Sequence, residues 1–128
     1  SFDTDYIIDD ATAVVDGSGI SRFNSITTGS TVRLLKYVYE NNFIYEDLYR
    51  SLAISGIDGT LQDRPVSNFV KGNFHGKTGT LNGVTALSGY LTAKNNHTYI
   101  VSIIMEYRSQ GSYFHKDIED RILMELAK

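Results

Sequence analysis

The chain has 128 residues, 41% of them apolar, enough to bury the core of one compact domain. A formal charge of -3 argues against nucleic acid or an anionic membrane surface as a partner. With no cysteine, disulfides and thiolate metal sites are excluded, and no apolar run approaches the length of a membrane span.

Residues 1–10 are acidic and start without a clear element. Asp16-Gly17-Ser18-Gly19 reads as a tight turn, since aspartate supplies local hydrogen bonds and glycine positive φ. A helix is predicted over 31–41, with Thr28 or Ser30 as N-cap and Val32, Leu35 and Val38/Tyr39 along one face. A second helix over 45–53 would bury Leu48 and Leu52, with Tyr45 or Tyr49, until Gly56 and Gly59 break the pattern. The single proline, Pro65, falls in a loop.

The second half changes period. Residues 74–81, 85–93 and 98–107 read as strands, the last two joined into a hairpin by Lys94-Asn95-Asn96-His97. In the third strand Tyr99, Val101, Ile103 and Met105 face one way, and Ile100 and Ile104 the other. Apolar residues on both faces predict a central strand, covered on both. A C-terminal helix over 115–127, with the stripe Ile118, Ile122, Leu123 and Leu126, would cover one of them. The result is an α+β fold, an antiparallel sheet flanked by helices, with residues 1–128 in one unit. Strand 98–107 has only the hairpin partner 85–93, so its bare edge predicts self-association or cover by residues 1–13 through Tyr6-Ile7-Ile8.

Chemistry concentrates in His75-Gly76-Lys77-Thr78-Gly79-Thr80-Leu81-Asn82-Gly83-Val84. Lys77 and Thr78 supply an ammonium and a hydroxyl, two of the groups that hold a substrate carboxylate. Gly79 leaves a bare backbone against which a peptide can lie. Alone, such a lysine reads first as an edge-strand guard against aggregation, with Thr78 read as strand propensity and Gly79 as a bulge. His75, His97 and His115 lack metal-ligand spacing and read as surface or turn histidines. Ser18 has no paired lysine and is not read as a nucleophile, while Arg22 and Arg64 read as salt-bridge partners and Asp58-Gly59-Thr60 as a turn.

Three blocks in order change the weight of that run. Asp16-Gly17-Ser18-Gly19-Ile20-Ser21-Arg22-Phe23-Asn24, Gly56-Ile57-Asp58-Gly59-Thr60-Leu61 and Gly76-Lys77-Thr78-Gly79-Thr80-Leu81-Asn82-Gly83-Val84 resemble the D-alanyl-D-alanine carboxypeptidases and endopeptidases of the penicillin-binding protein 4 type, serine peptidase family S13. The resemblance implies the C-terminal portion of the serine β-lactamase/DD-peptidase (transpeptidase-like) fold. It also implies an acyl-enzyme mechanism without a cofactor, and a bacterial, periplasmic or otherwise extracytoplasmic setting. The partners it implies are peptidoglycan stem peptides ending in D-Ala-D-Ala, and β-lactams. In that frame Lys77, Thr78, Gly79 and Thr80 bind substrate, and Lys77 also joins the proton network around the second-motif serine. Thr80 contributes its backbone N–H to the oxyanion hole.

The chain also departs from the family pattern. It contains neither Ser-x-x-Lys nor Ser-x-Asn, and Ser67 to Lys71 and Ser112 to Lys116 are each spaced one residue too far. Tyr39-Glu40-Asn41 mimics a variant of the second motif but falls on a predicted helix and reads as coincidence. The nucleophile is therefore expected on a missing N-terminal part of the same protein, this chain beginning inside a longer, exported precursor. On its own the chain is expected to be inactive. A non-catalytic module binding peptidoglycan peptide or β-lactam, or a structural half docked on a chain that carries the serine, are the alternatives.

Overall fold

A computed structural model describes residues 27–64, 67, 69–81, 83–108 and 111–128. The Asp16–Asn24 block, with Ser18 and Arg22, and the 1–13 segment lie outside the described residues, as does Pro65. Among the described residues two helices come first, α1 (Thr28–Tyr39) and α2 (Asn42–Ser51). The strands are β1 (Ala53–Ile54), β2 (Phe74–Leu81), β3 (Val84–Thr92) and β4 (Thr98–Glu106), with a 3₁₀ turn (Gly59–Leu61) between the first two. Helix α3 (Ser112–Ala127) closes the order.

The N-cap of α1 is neither Thr28 nor Ser30. Thr27 takes the extended conformation, and its hydroxyl accepts from the Ser30 N–H at 3.1 Å, which leaves Ser30 buried inside the helix. Helix α2 starts three residues earlier than its sequence pattern suggests and ends two residues earlier. It ends at Ser51, and Ala53, expected to be helical, pairs instead with Gly76 across the sheet. None of its residues is fully buried; Tyr45, Leu48 and Tyr49 are half-covered.

All strand pairs are antiparallel, in the order β1-β2-β3-β4. The expected hairpin between β3 and β4 is present. So is an unexpected one between β2 and β3, where Leu81 pairs with Val84 around a two-residue loop. Gly83 in that loop has φ of 79°, the positive value a tight hairpin requires. The signal was present as Asn82-Gly83, the strongest short hairpin dipeptide.

Strand β4 pairs only with β3 among the described residues, so it is an edge rather than the expected central strand, and β2 and β3 are the inner strands. Its outer side opens onto a groove of about 560 Å³ lined by Val32 and Arg33 of α1 and by Ile122 and Leu126 of α3. The core is built from Leu61, Val70, Phe74, Leu87, Leu91, Val101, Leu123 and Ala127.

Helix α3 is rotated relative to the apolar stripe expected for it. Its buried residues are His115, Glu119, Asp120, Leu123 and Ala127, while Ile122 and Leu126 are each 37% exposed. The cause is Arg64, whose guanidinium donates to Glu119 Oε2 and Asp120 Oδ1, both at 3.0 Å, and to the Lys116 carbonyl at 2.9 Å. Carboxylates paired this closely with a guanidinium can be buried where lone ones cannot. Burial pushes the Asp120 carboxyl above its usual range, against the opposing pull of Arg64. His115, read from sequence as a surface or turn residue, is buried against the rings of Tyr107 and Phe114. His97 does lie in an exposed turn.

Candidate functional site

Strand β2 changes character halfway along. Phe74 and Gly76 are buried and half-buried His75 lies between them, whereas Lys77, Gly79, Thr80 and Leu81 are exposed. The partner on the outer side stops at the same place, because β1 reaches only His75 and Gly76. From Lys77 to Leu81, β2 has β3 on one side and no strand on the other among the described residues.

Backbone direction follows from one bond. The Phe74 carbonyl accepts from the Ser55 N–H at 2.9 Å, so the polar groups of Phe74 face the β1 side. Strand alternation then turns the N–H and C=O of Gly76, Thr78 and Thr80 to the same outer edge. Beyond Gly76 that edge presents the Thr78 and Thr80 amides to whatever lies alongside. The Lys77 ammonium leans over it and donates to the Thr78 carbonyl.

The side chains divide between two faces. Lys77 and Gly79 share a face with His75, whose ring stacks on Tyr49 at 3.9 Å and 15° between planes. Tyr49 belongs to a cluster with Tyr39, Tyr45 and Tyr90, and the Tyr90 hydroxyl donates to the Leu35 carbonyl at 2.6 Å. Burial pushes the Tyr90 and Tyr45 phenols up to about 12, and burial lowers His75 from its ordinary value, so the imidazole is neutral near pH 7. These rings hold the start of β2 to α1 and α2. Tyr39-Glu40-Asn41 forms the joint between the helices, with Tyr39 in that cluster.

Thr78 and Thr80 occupy the other face. The Thr78 hydroxyl donates to the Thr60 hydroxyl at 2.8 Å. Reading from sequence assigned Thr60 only to a turn, and the turn is there. Asp58 Oδ1 accepts from the Ile54 N–H at 2.7 Å, and Gly56 N–H donates to the Leu61 carbonyl at 2.9 Å. No spacing rule joins a turn hydroxyl to a strand hydroxyl 18 residues on. Gly79 forms no bulge, since it pairs in regular register with Ala86. Among the described residues no group of three or more His, Cys, Asp or Glu side chains is placed to hold a metal ion.

The chain matches the D-Ala-D-Ala carboxypeptidase 3 (S13) family over residues 4–127. It belongs to the S13 family. Penicillin-sensitive carboxypeptidase A of Dictyostelium discoideum is 32% identical over 120 residues, covering 89% of this chain and 23% of that protein. D-alanyl-D-alanine carboxypeptidase DacB of Haemophilus influenzae is 34% identical over 100 residues, covering 73% of this chain and 20% of its own length. The crystal structure of penicillin binding protein 4 from Haemophilus influenzae superposes with a TM-score of 0.84 at 27% identity, over 95% of this chain and 29% of that one. The same protein has been solved in complex with a β-lactam. Among the described residues the four-stranded antiparallel sheet with its three helices is thus the α+β arrangement of an S13 carboxypeptidase, and the chain spans less than a third of these relatives.

Proposed function

We propose that this chain works as one part of a longer serine-type D-Ala-D-Ala carboxypeptidase, capable of endopeptidase cleavage by the same chemistry. It would act on peptidoglycan stem peptides outside the cytoplasmic membrane. The observation that carries this reading is the open half of β2, where Lys77, Thr78 and the outward amide of Thr80 line one unpaired edge. A peptide laid along that edge meets backbone donors and acceptors in strand register. Its terminal carboxylate would take charge-assisted hydrogen bonds from the Lys77 ammonium and the Thr78 hydroxyl.

The nucleophilic serine comes from a segment outside these 128 residues, which hold no Ser-x-x-Lys. Its oxygen attacks the penultimate D-Ala carbonyl, and the negative charge that develops there is met by the Thr80 N–H and the serine's own N–H. The C–N bond breaks, D-Ala leaves as the amine, and water hydrolyses the ester. A β-lactam would acylate the same serine by opening its ring. The bare edge of β4 is assigned by the same reading to a strand of the longer protein.

Intact-mass spectrometry with benzylpenicillin tests the assignment. The chain alone should keep its mass, and the longer protein should gain one adduct on a serine outside residues 1–128. An adduct on a serine of this chain would overturn the division of labour. Tight binding of a D-Ala-D-Ala peptide by the longer protein, without acylation or turnover, would favour a binding module.

A further inference from the structure

Thr78 is not alone at the open edge. Its hydroxyl sits 2.8 Å from that of Thr60, which arrives from the other side of the sheet edge on the 3₁₀ turn Gly59–Leu61. The turn is held firmly on both sides of Thr60. Before it, Asp58 is hydrogen-bonded to the Ile54 N–H, and after it Leu61 is 1% exposed in the core. Three residues beyond Leu61, Arg64 ties the segment to α3 through two carboxylates. Thr60 itself is exposed and lines an open cleft of about 330 Å³, so no packing role explains where its hydroxyl points.

Each hydroxyl has one proton and two acceptor lone pairs, and the proton rotates to suit its partners. In the structure Thr78 donates to Thr60. With a carboxylate at the edge, the pair can reverse. Thr60 then donates to Thr78, and the Thr78 proton turns to the anion. A hydroxyl that accepts one hydrogen bond donates a stronger one. A fixed neighbour also removes the rotor freedom that a lone threonine would lose on binding.

We infer that Thr60 is a positioning residue for carboxylate recognition, acting through the Thr78 hydroxyl to favour substrates with a free C-terminal carboxylate. This rests on the peptidase reading above and deepens it. The test uses the longer protein, with a D-Ala-D-Ala peptide and the same peptide as its C-terminal amide. Thr60→Val should lower kcat/KM about tenfold on the free acid, the scale of one hydrogen bond to a charged group, and leave the amide within about twofold. Thr60→Ser should restore discrimination. Thr60→Val combined with Thr78→Val should be no worse on the acid than Thr78→Val alone. An unchanged acid-to-amide ratio in Thr60→Val, equal losses on both peptides, or additive losses in the double variant would each overturn the inference while leaving the peptidase intact. A parent protein that turns over neither peptide and takes up no penicillin would bring down both readings together.

Discussion

Gly76 and Gly79 stand three residues apart on one strand, yet an added methyl group would meet different surroundings at each. At Gly76 it would lie 2.4 Å from the Phe74 ring and 2.9 Å from the Ser88 carbonyl. At Gly89, directly across the sheet, it would lie 2.1 Å from the His75 carbonyl. At Gly79 it would touch only the Ala86 methyl at 3.6 Å, an ordinary contact. Glycine at 76 and 89 is therefore demanded by the chain's own packing. Nothing among the described residues demands it at 79. A glycine that the fold does not need, on an unpaired edge beside a lysine and a threonine, is what close approach by an outside backbone would select.

The comparison breaks first, and hardest, at the packed end. Gly89→Ala should cost at least about 3 kcal/mol, because backbone atoms cannot yield as a flexible side chain can. Urea denaturation of the chain measures it, and a loss under about 1 kcal/mol would refute the packing argument. At the open end the effect should move from stability to chemistry. In the longer protein Lys77→Ala should slow acylation by penicillin about 10²–10³-fold while shifting stability by less than about 0.5 kcal/mol. Near-normal acylation would reduce Lys77 to a solubility residue. Gly79→Ala sharpens the contrast, since stability should again stay within about 0.5 kcal/mol while penicillin acylation falls about tenfold. Unimpaired acylation would mean that no ligand backbone passes close to residue 79.

The smallest effect is a pH dependence at the boundary between the two ends. Burial lowers the folded pKa of His75 below its ordinary 6.5, so just below that pH the unfolded chain binds the extra proton. The stability this represents is complete above about pH 6.5 and is lost as the pH falls through the folded value. The melting temperature should therefore decline between pH 7 and 5, and His75→Gln should remove part of that slope. An identical slope in the variant would place the acid sensitivity on other groups.

Strands β2, β3 and β4 and the bare edge of β4 were legible in the sequence for plain reasons. The apolar, β-branched run in 98–107 and the polar tetrad at 94–97 are local signals, and the three sequence blocks carry their order with them. What escaped depended on partners far along the chain. The buried face of α3 follows from Arg64 pairing with residues 55 and 56 positions away, which no helical period contains. Of the expected stripe Ile118, Ile122, Leu123 and Leu126, only Leu123 is fully buried, because ion pairing outranked the rest in fixing the helix rotation. Strand β1 is two half-buried residues long and was indistinguishable from the end of a helix. Thr60 was hidden because its role lies in one hydroxyl contact rather than in its own neighbourhood.

Arg64 also sets an order of events when the chain is made. The strands β2, β3 and β4 are consecutive and joined by short turns, so they can assemble from contacts that are local along the chain. The segment bearing Thr60 is fastened by Lys116, Glu119 and Asp120, which leave the ribosome more than 50 residues later. Until they arrive, the guanidinium has no carboxylates to close on and the turn has no anchor on that side. The sheet edge can thus exist before its hydroxyl pair is set. A nascent chain released before residue 116 would carry every residue of the strand motif and still lack one of the anchors that hold Thr60 against it.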